Sequence, residues 1–179
     1  MKDYKKFGGE ILEDLGKYAR NYIKENSDVI VCIGTDSKQL RKRTMYATAI
    51  CFQHPGRGVH VVFRRESFSK IRDLYTRLWK EGELSLAVGE YLNEELKDVW
   101  ERKITPDEKS RGTKIVEGMK LCDLHLDVNP NKNHKSNMVY EGSVGMLEGY
   151  GYRVYTKQHP DSGKPNSWAA SCAADLLCK

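Results

Sequence analysis

Two aspartates each close an apolar run. Asp36 follows Val29-Ile-Val-Cys-Ile-Gly-Thr35, and Asp127 follows Leu124-His-Leu126. If the runs are neighbouring strands, the two carboxylates stand together in a crevice, where they must share a proton or hold a cation. Two more acids are candidates for the same place. Glu83 begins a long helical pattern whose neighbour Leu84 faces the core, with Glu81 and Glu90 as alternatives. Asp175 shares a helical face with Trp168, Ser171 and Cys172, and small alanines allow that helix to approach the sheet closely. An all-oxygen donor set suits Mg²⁺ or Mn²⁺ rather than zinc. Two such ions about 3.5–4 Å apart clamp the attacking and leaving oxygens of an in-line displacement at a phosphodiester. Singly, each acid has an ordinary role as turn, cap or surface residue; the conjunction is what points to metal.

The surroundings suit an anion. Lys38, Arg41, Lys42 and Arg43 follow Asp36 at once and are placed to hold phosphates. The string Asn129-Pro-Asn-Lys-Asn-His-Lys-Ser-Asn137 follows Asp127, so Asn129, His134, Lys135, Ser136 and Asn137 are expected to rim the crevice. Ser136 and Asn137 are also natural caps for the next helix. The tyrosines and tryptophans fall in apolar stripes and read as core, with no stacking platform.

The elements that position these residues follow from periodicity. Residues 10–25 carry Ile11, Leu15, Tyr18, Ala19 and Tyr22 at helical spacing. Strands are predicted over 29–35, 44–52 and 59–63, joined by turn-forming strings short enough to require an antiparallel meander. Helices are predicted over 69–79 and 83–102, then a polar loop over 104–114 and a strand over 121–128. A helix through Tyr140, Val144 and Leu147, a short strand over 152–156 and a last helix over 167–179 complete the chain. The expected fold is α/β: a five-stranded mixed sheet, a three-stranded antiparallel meander plus two parallel strands, with helices on both faces. The strand ending at Asp127 returns beside the one ending at Asp36 by a right-handed crossover, and ligands of such sheets bind beyond the carboxyl ends.

At 179 residues, 39% hydrophobic and 31% charged, the chain reads as one soluble domain over 1–179 with an N-terminal helical extension over 1–27. No apolar run approaches the roughly 20 residues of a membrane span, and Met1–Glu10 lacks the apolar core of a signal peptide, so a cytoplasmic location is expected. The five cysteines form no C-x-x-C pair and are expected as buried free thiols. The net charge of +5 mildly favours an anionic partner.

The element order with acids at these places resembles the ribonuclease H-like superfamily. The strings Ile33-Gly-Thr-Asp-Ser37, Leu124-His-Leu-Asp-Val-Asn-Pro-Asn131, Lys135-Ser-Asn137 and Trp168-Ala-Ala-Ser-Cys-Ala-Ala-Asp175 resemble its YkuK-type family over residues 10–179. The resemblance implies Asp36 as the first-strand acid, Glu83 as the helix acid, Asp127 as the fourth-strand acid and Asp175 as the acid of the last helix. Taken with the four acids and the adjoining basic residues, the first reading is a metal-dependent nuclease acting on RNA, DNA or a hybrid. The alternative is a silent nucleic-acid-binding or adaptor module on the same fold. ATP-dependent phosphoryl transfer is a third and weaker reading, since the chain has no glycine-rich phosphate loop.

Overall fold

The computed structural model describes residues 1, 3–26, 28–99, 120–157 and 167–178. In chain order the elements are β1 (Lys5–Lys6), α1 (Leu15–Glu25), β2 (Ile30–Gln39), β3 (Arg43–His54), β4 (Gly58–Ser69), α2 (Leu74–Leu96) and β5 (Asp123–His125). A 3-10 helix (Lys135–Val139) then leads into α3 (Tyr140–Gly149), β6 (Arg153–Tyr155) and α4 (Trp168–Cys178). The sheet is six-stranded, in the order β1-β4-β3-β2-β5-β6. The meander β2-β3-β4 is antiparallel, while β5 runs parallel to both β2 and β6. The α/β class and mixed sheet are as expected. The sixth strand is a two-residue segment, Lys5 and Lys6, on the outer edge of β4, too short to announce itself by alternation.

Alternation along β2 assigns its two faces. Val31 and Ile33 join Leu15, Ala19, Ile23, Leu78, Val88, Leu92 and Leu147 in one core, which places α1, α2 and α3 on one side of the sheet. Cys32 joins Ala47, Ala49, Cys51, Ala169, Ala173 and Leu176 on the other side, beneath α4. The N-terminal helix is thus part of the main core. Cys32, Cys51 and Cys122 are buried cysteines outside any disulfide, as expected, and Cys172 is half-buried; Cys178 falls outside the described side chains.

Several boundaries moved for identifiable reasons. β4 continues to Ser69, so the helix expected from 69 starts only at Leu74, where the Asp73 carboxylate accepts the Thr76 N–H at 2.7 Å. The break expected between 79 and 83 does not occur, and α2 runs unbroken for 23 residues. Gly82 costs the helix about 1 kcal/mol of propensity, which the packing of Leu78, Leu84 and Val88 outweighs. α1 starts at Leu15 because Asp14 caps it, accepting the Lys17 N–H at 2.6 Å. β5 spans three residues rather than eight. The expected loop at 104–114 lies outside the described residues. Among the described residues, no helix is long and apolar enough to cross a membrane.

β2 and α4 approach each other closely at Gly34. A Cβ on Gly34 would stand 2.6 Å from the Ala169 carbonyl carbon and closer still to Ala170 N. Gly34→Ala should therefore push α4 off the sheet and cost about 3 kcal/mol, the upper range for overpacking. Gly145→Ala is the control: a Cβ there meets nothing within 4 Å, and better helix propensity should stabilise by about 0.5–1 kcal/mol. Urea unfolding of both variants checks the pair, and equal effects would mean the β2–α4 contact is not tight.

Candidate metal and nucleic-acid site

The site begins where two strands part. β5 pairs with β2 only through Cys32·Asp123, Ile33·Leu124 and Gly34·His125. Beyond that point the chain after β5 stays with the β6 side: Leu126 N–H donates to Tyr155 O at 2.8 Å, and Lys157 N–H to Val128 O at 3.1 Å. β2 meanwhile continues beside β3 to Gln39. A cleft opens between them, with Asp36 on one lip and Asp127 on the other.

The third acid comes from α2. Glu81 is only 2% exposed and accepts a hydrogen bond from Ser37 Oγ at 2.6 Å. Ser37 Oγ in turn accepts from Arg77 Nη1 at 2.7 Å. Below this lies a buried hydroxyl chain: Ser85 Oγ donates to Thr35 Oγ1 at 2.8 Å, and Thr35 pairs with Thr48 at 3.0 Å. These bonds fix the direction of α2, which runs antiparallel to β2, so its first turns overhang the cleft.

The electrostatics match a crowded acid site. Burial and the nearby Asp127 charge push the Asp36 carboxyl up to about 6, opposed by its hydrogen bond from the Ser37 backbone and by Arg77 and Lys157. Glu81 is raised well above the usual carboxylate range, chiefly by burial and next by the Asp36 charge. Asp127 is held by Lys157, which donates to Oδ2 at 3.0 Å. Oδ1 lies 2.7 Å from the same ammonium, yet it is buried and among the described residues accepts no well-aligned hydrogen bond.

The helix carboxylate that meets Asp36 is thus Glu81, one of the alternatives, and not Glu83. Glu83 points to solvent and pairs with Lys80 at 3.0 Å, because it lies off the Leu78-Glu81-Ser85-Val88 stripe that faces the sheet. Glu90 lies further down α2, bonded to Tyr152 at 2.7 Å. Asp175 is exposed and is not gathered with the other acids. α4 crosses Gly34 at Ala169–Ala170 and reaches Cys51, the partner of Cys32, at Cys172, so it runs back toward the amino end of β2. Asp175 lies further along that path, away from Asp36.

Lys38, Arg41, Lys42 and Arg43 are exposed at the β2–β3 hairpin, and among the described residues none forms an ion pair. The loop after Asp127 behaves differently. Ser136 Oγ accepts the Asn129 N–H at 3.2 Å, Asn129 Oδ1 accepts the Asn131 N–H at 2.9 Å, and Asn137 donates to Pro130 O at 2.8 Å. Asn129, Ser136 and Asn137 brace the loop, while His134 and Lys135 are exposed. Sequence reasoning missed Arg77, Ser37 and Lys157. The strand phase carried a signal for Ser37, since the residue after Asp36 must face α2.

Among the described residues, no group of three His, Cys, Asp or Glu side chains is gathered closely enough to form a ready-made metal site. The donor chemistry nevertheless fits a hard cation. Asp36 and Glu81 are driven toward protonation by burial and mutual charge, and among the described residues Asp127 Oδ1 accepts no well-aligned hydrogen bond. A family model described as "Ribonuclease H-like" matches residues 10–179. The chain belongs to the ribonuclease H-like family. Within it, the match supports the YkuK-type assignment and a nuclease-like or nucleic-acid-related fold. Neither the curated proteins nor the solved structures yield a match.

A pH dependence follows. An acid whose folded pKa is raised stabilises the fold at low pH, and that contribution is lost as pH rises through the folded value. For Asp36 the window runs from about 4 to just above 6. In chelator, wild type should lose on the order of 2–3 kcal/mol across it relative to Asp36→Asn. Urea unfolding from pH 4 to pH 8 measures the difference; parallel profiles would mean Asp36 is well solvated.

Proposed function

We propose that this protein is a divalent-metal-dependent nuclease that cleaves phosphodiester bonds of RNA or DNA. The observation that carries the reading is the placement of Asp36 and Asp127 on opposite lips of the cleft where β2 and β5 part, with Glu81 behind Asp36. Asp36, Asp127 and Glu81 would hold the cation, Mg²⁺ or Mn²⁺. When bound, such ions supply an activated water and charge stabilisation for the leaving oxygen.

The chain's own residues do the rest. Arg77 and Ser37 orient Glu81 from the side. Lys157 holds Asp127 at the lip and offsets the repulsion between the two aspartates. The burial that raises the Asp36 carboxyl also strengthens every charge interaction in the cleft. Lys38, Arg41, Lys42 and Arg43 lie just beyond Asp36 on the same hairpin, where they hold the phosphate backbone on either side of the scissile bond.

The test is a panel of labelled RNA, DNA and hybrid substrates with Mg²⁺ or Mn²⁺. Cleavage should fall on the order of 10²–10³-fold in Asp36→Asn and in Asp127→Asn, the scale of losing one preorganised electrostatic contact. Glu81→Gln should be impaired and Glu83→Gln should not. Full cleavage in excess chelator would end the metal reading. The hairpin has its own measure: replacing its four basic residues with Gln should reduce the salt slope of binding by about 0.7–0.9 for each lost contact. An unchanged slope would assign them to solvent.

A further inference from the structure

The first turns of α2, which overhang the cleft, carry an aromatic pair on the side that faces α3. Glu81 and Ser85 bond to Ser37 and Thr35, so the residues one and two turns before Glu81 stand progressively beyond Asp36. Trp79 and Tyr75, two and six residues before Glu81, lie along that rise on the flank toward α3. Their rings are stacked, with centroids 5.9 Å apart and planes 10° from parallel. Trp79 is anchored from below, since a Cβ on Gly142 of α3 would meet its ring at 3.2 Å. Tyr75 is 42% exposed, and Met138, on the 3-10 helix that α2 also contacts, is 55% exposed.

An exposed tyrosine is ordinary, but one already clamped flat against a fixed tryptophan has little rotamer freedom left to lose on binding. Its surroundings are cationic. The Ser69–Asp73 connection leading into α2 lies across the base of the β2–β3 hairpin: Gln39 donates to Ile71 O at 2.6 Å, and Ile71 N–H to Thr44 Oγ1 at 2.9 Å. That contact sets Lys70 and Arg72 beside Arg41, Lys42 and Arg43, and among the described residues none of these is in an ion pair. The nearest acid on the connection, Asp73, is occupied by Thr76.

We propose that Tyr75, backed by Trp79, is a stacking platform for an unpaired base, and that the protein takes single-stranded rather than fully paired nucleic acid. The inference rests on the nuclease reading and names its substrate class. Phosphates along the hairpin and a base on Tyr75 need different things from the ligand: any strand supplies the first, whereas a duplex keeps its base faces covered by neighbouring pairs. Base–aromatic stacking is tolerant of sequence, so the preference is for strandedness rather than for a base identity.

The test uses the full chain carrying Asp36→Asn, which keeps strands intact, in Mg²⁺. Fluorescence anisotropy reads binding of a labelled single strand of about 12 nucleotides, a length in the range of known single-strand sites, and of the matching duplex. Adding Tyr75→Ala should weaken single-strand binding roughly 5- to 100-fold and duplex binding less than about twofold; Tyr75→Phe should bind like the parent. A 2-aminopurine base in the strand should be quenched on binding by the parent and by Tyr75→Phe, but not by Tyr75→Ala. Equal single-strand affinity for Tyr75→Ala and the parent, with loss only when the hairpin residues become Gln, would overturn the platform and leave the nuclease reading standing. Equal loss for single strand and duplex would also overturn it. A parent protein that binds neither would overturn the nuclease reading as well.

Discussion

A single level of the sheet, Gly34 against His125, controls where the site is. Gly34 pairs with His125 in the last rung of the β2–β5 ladder, and α4 lays its backbone at Ala169–Ala170 directly on Gly34. The Ala169 N–H donates to His125 Nδ1 at 3.1 Å. Burial holds the His125 imidazolium pKa down to about 3, so Nδ1 keeps its lone pair and stays an acceptor over the whole neutral range. Strand register, helix docking and imidazole tautomer therefore lock one another. Any side chain on Gly34 would lift α4 and pull its first turn from His125. Two positions outward from that rung stand Asp36, on β2, and Asp127, in the chain that follows β5.

Above that lock, charge takes over from packing. Three carboxylates share the cleft with two cations, and each cation is assigned. Lys157 sits on Asp127, and Arg77 reaches Glu81 only through Ser37. A direct Arg77–Glu81 ion pair would leave Glu81 little capacity for a metal. The intervening hydroxyl instead holds the glutamate in place while keeping the arginine's charge one bond away. Asp36 is raised to about 6, chiefly by its burial and then by the Asp127 charge. Acids held charged at such a cost, Asp36 and Glu81 alike, would gain from an arriving cation, since the ion would relieve the repulsion as well as make its own bond.

Much of this was legible in the sequence, and the failures have physical causes. The strands announce themselves through their Val, Ile and Phe content, and their short connections fix the meander. The places of Asp36 and Asp127 follow from those strands alone. The choice of glutamate turned on the helix break expected between 79 and 83. Once α2 is continuous, Leu78, Glu81, Ser85, Val88 and Leu92 lie on one stripe and Glu83 does not. Asp175 failed for the opposite reason. In Trp168-Ala-Ala-Ser-Cys-Ala-Ala-Asp175 the alanines leave no strong apolar stripe to fix helical phase, and the face that meets the sheet is Ala169, Ala173 and Leu176. β4 extends six residues past its apolar run because its partner β3 and the hairpin hold it, which no local pattern in Arg64-Arg-Glu-Ser-Phe-Ser69 declares.

The unequal strand lengths tie these observations together. β2, β3 and β4 have 10 to 12 residues, while β5 and β6 have three each. The surplus of the meander projects past the parallel pair. That overhang gives Asp36 an open side, carries the basic hairpin beyond it, and gives the first turns of α2 a surface to lie on through Arg77 and Ser37. A longer β5 would pair with residues 35–39 of β2 and close the cleft with ladder hydrogen bonds. Asn129 prevents this. Its side chain accepts from Asn131, and its own N–H is turned to Ser136, so the backbone after Asp127 is bent into a loop that cannot continue the ladder. Three of the loop residues expected as ligand contacts, Asn129, Ser136 and Asn137, thus brace the turn that keeps the two lips of the cleft apart.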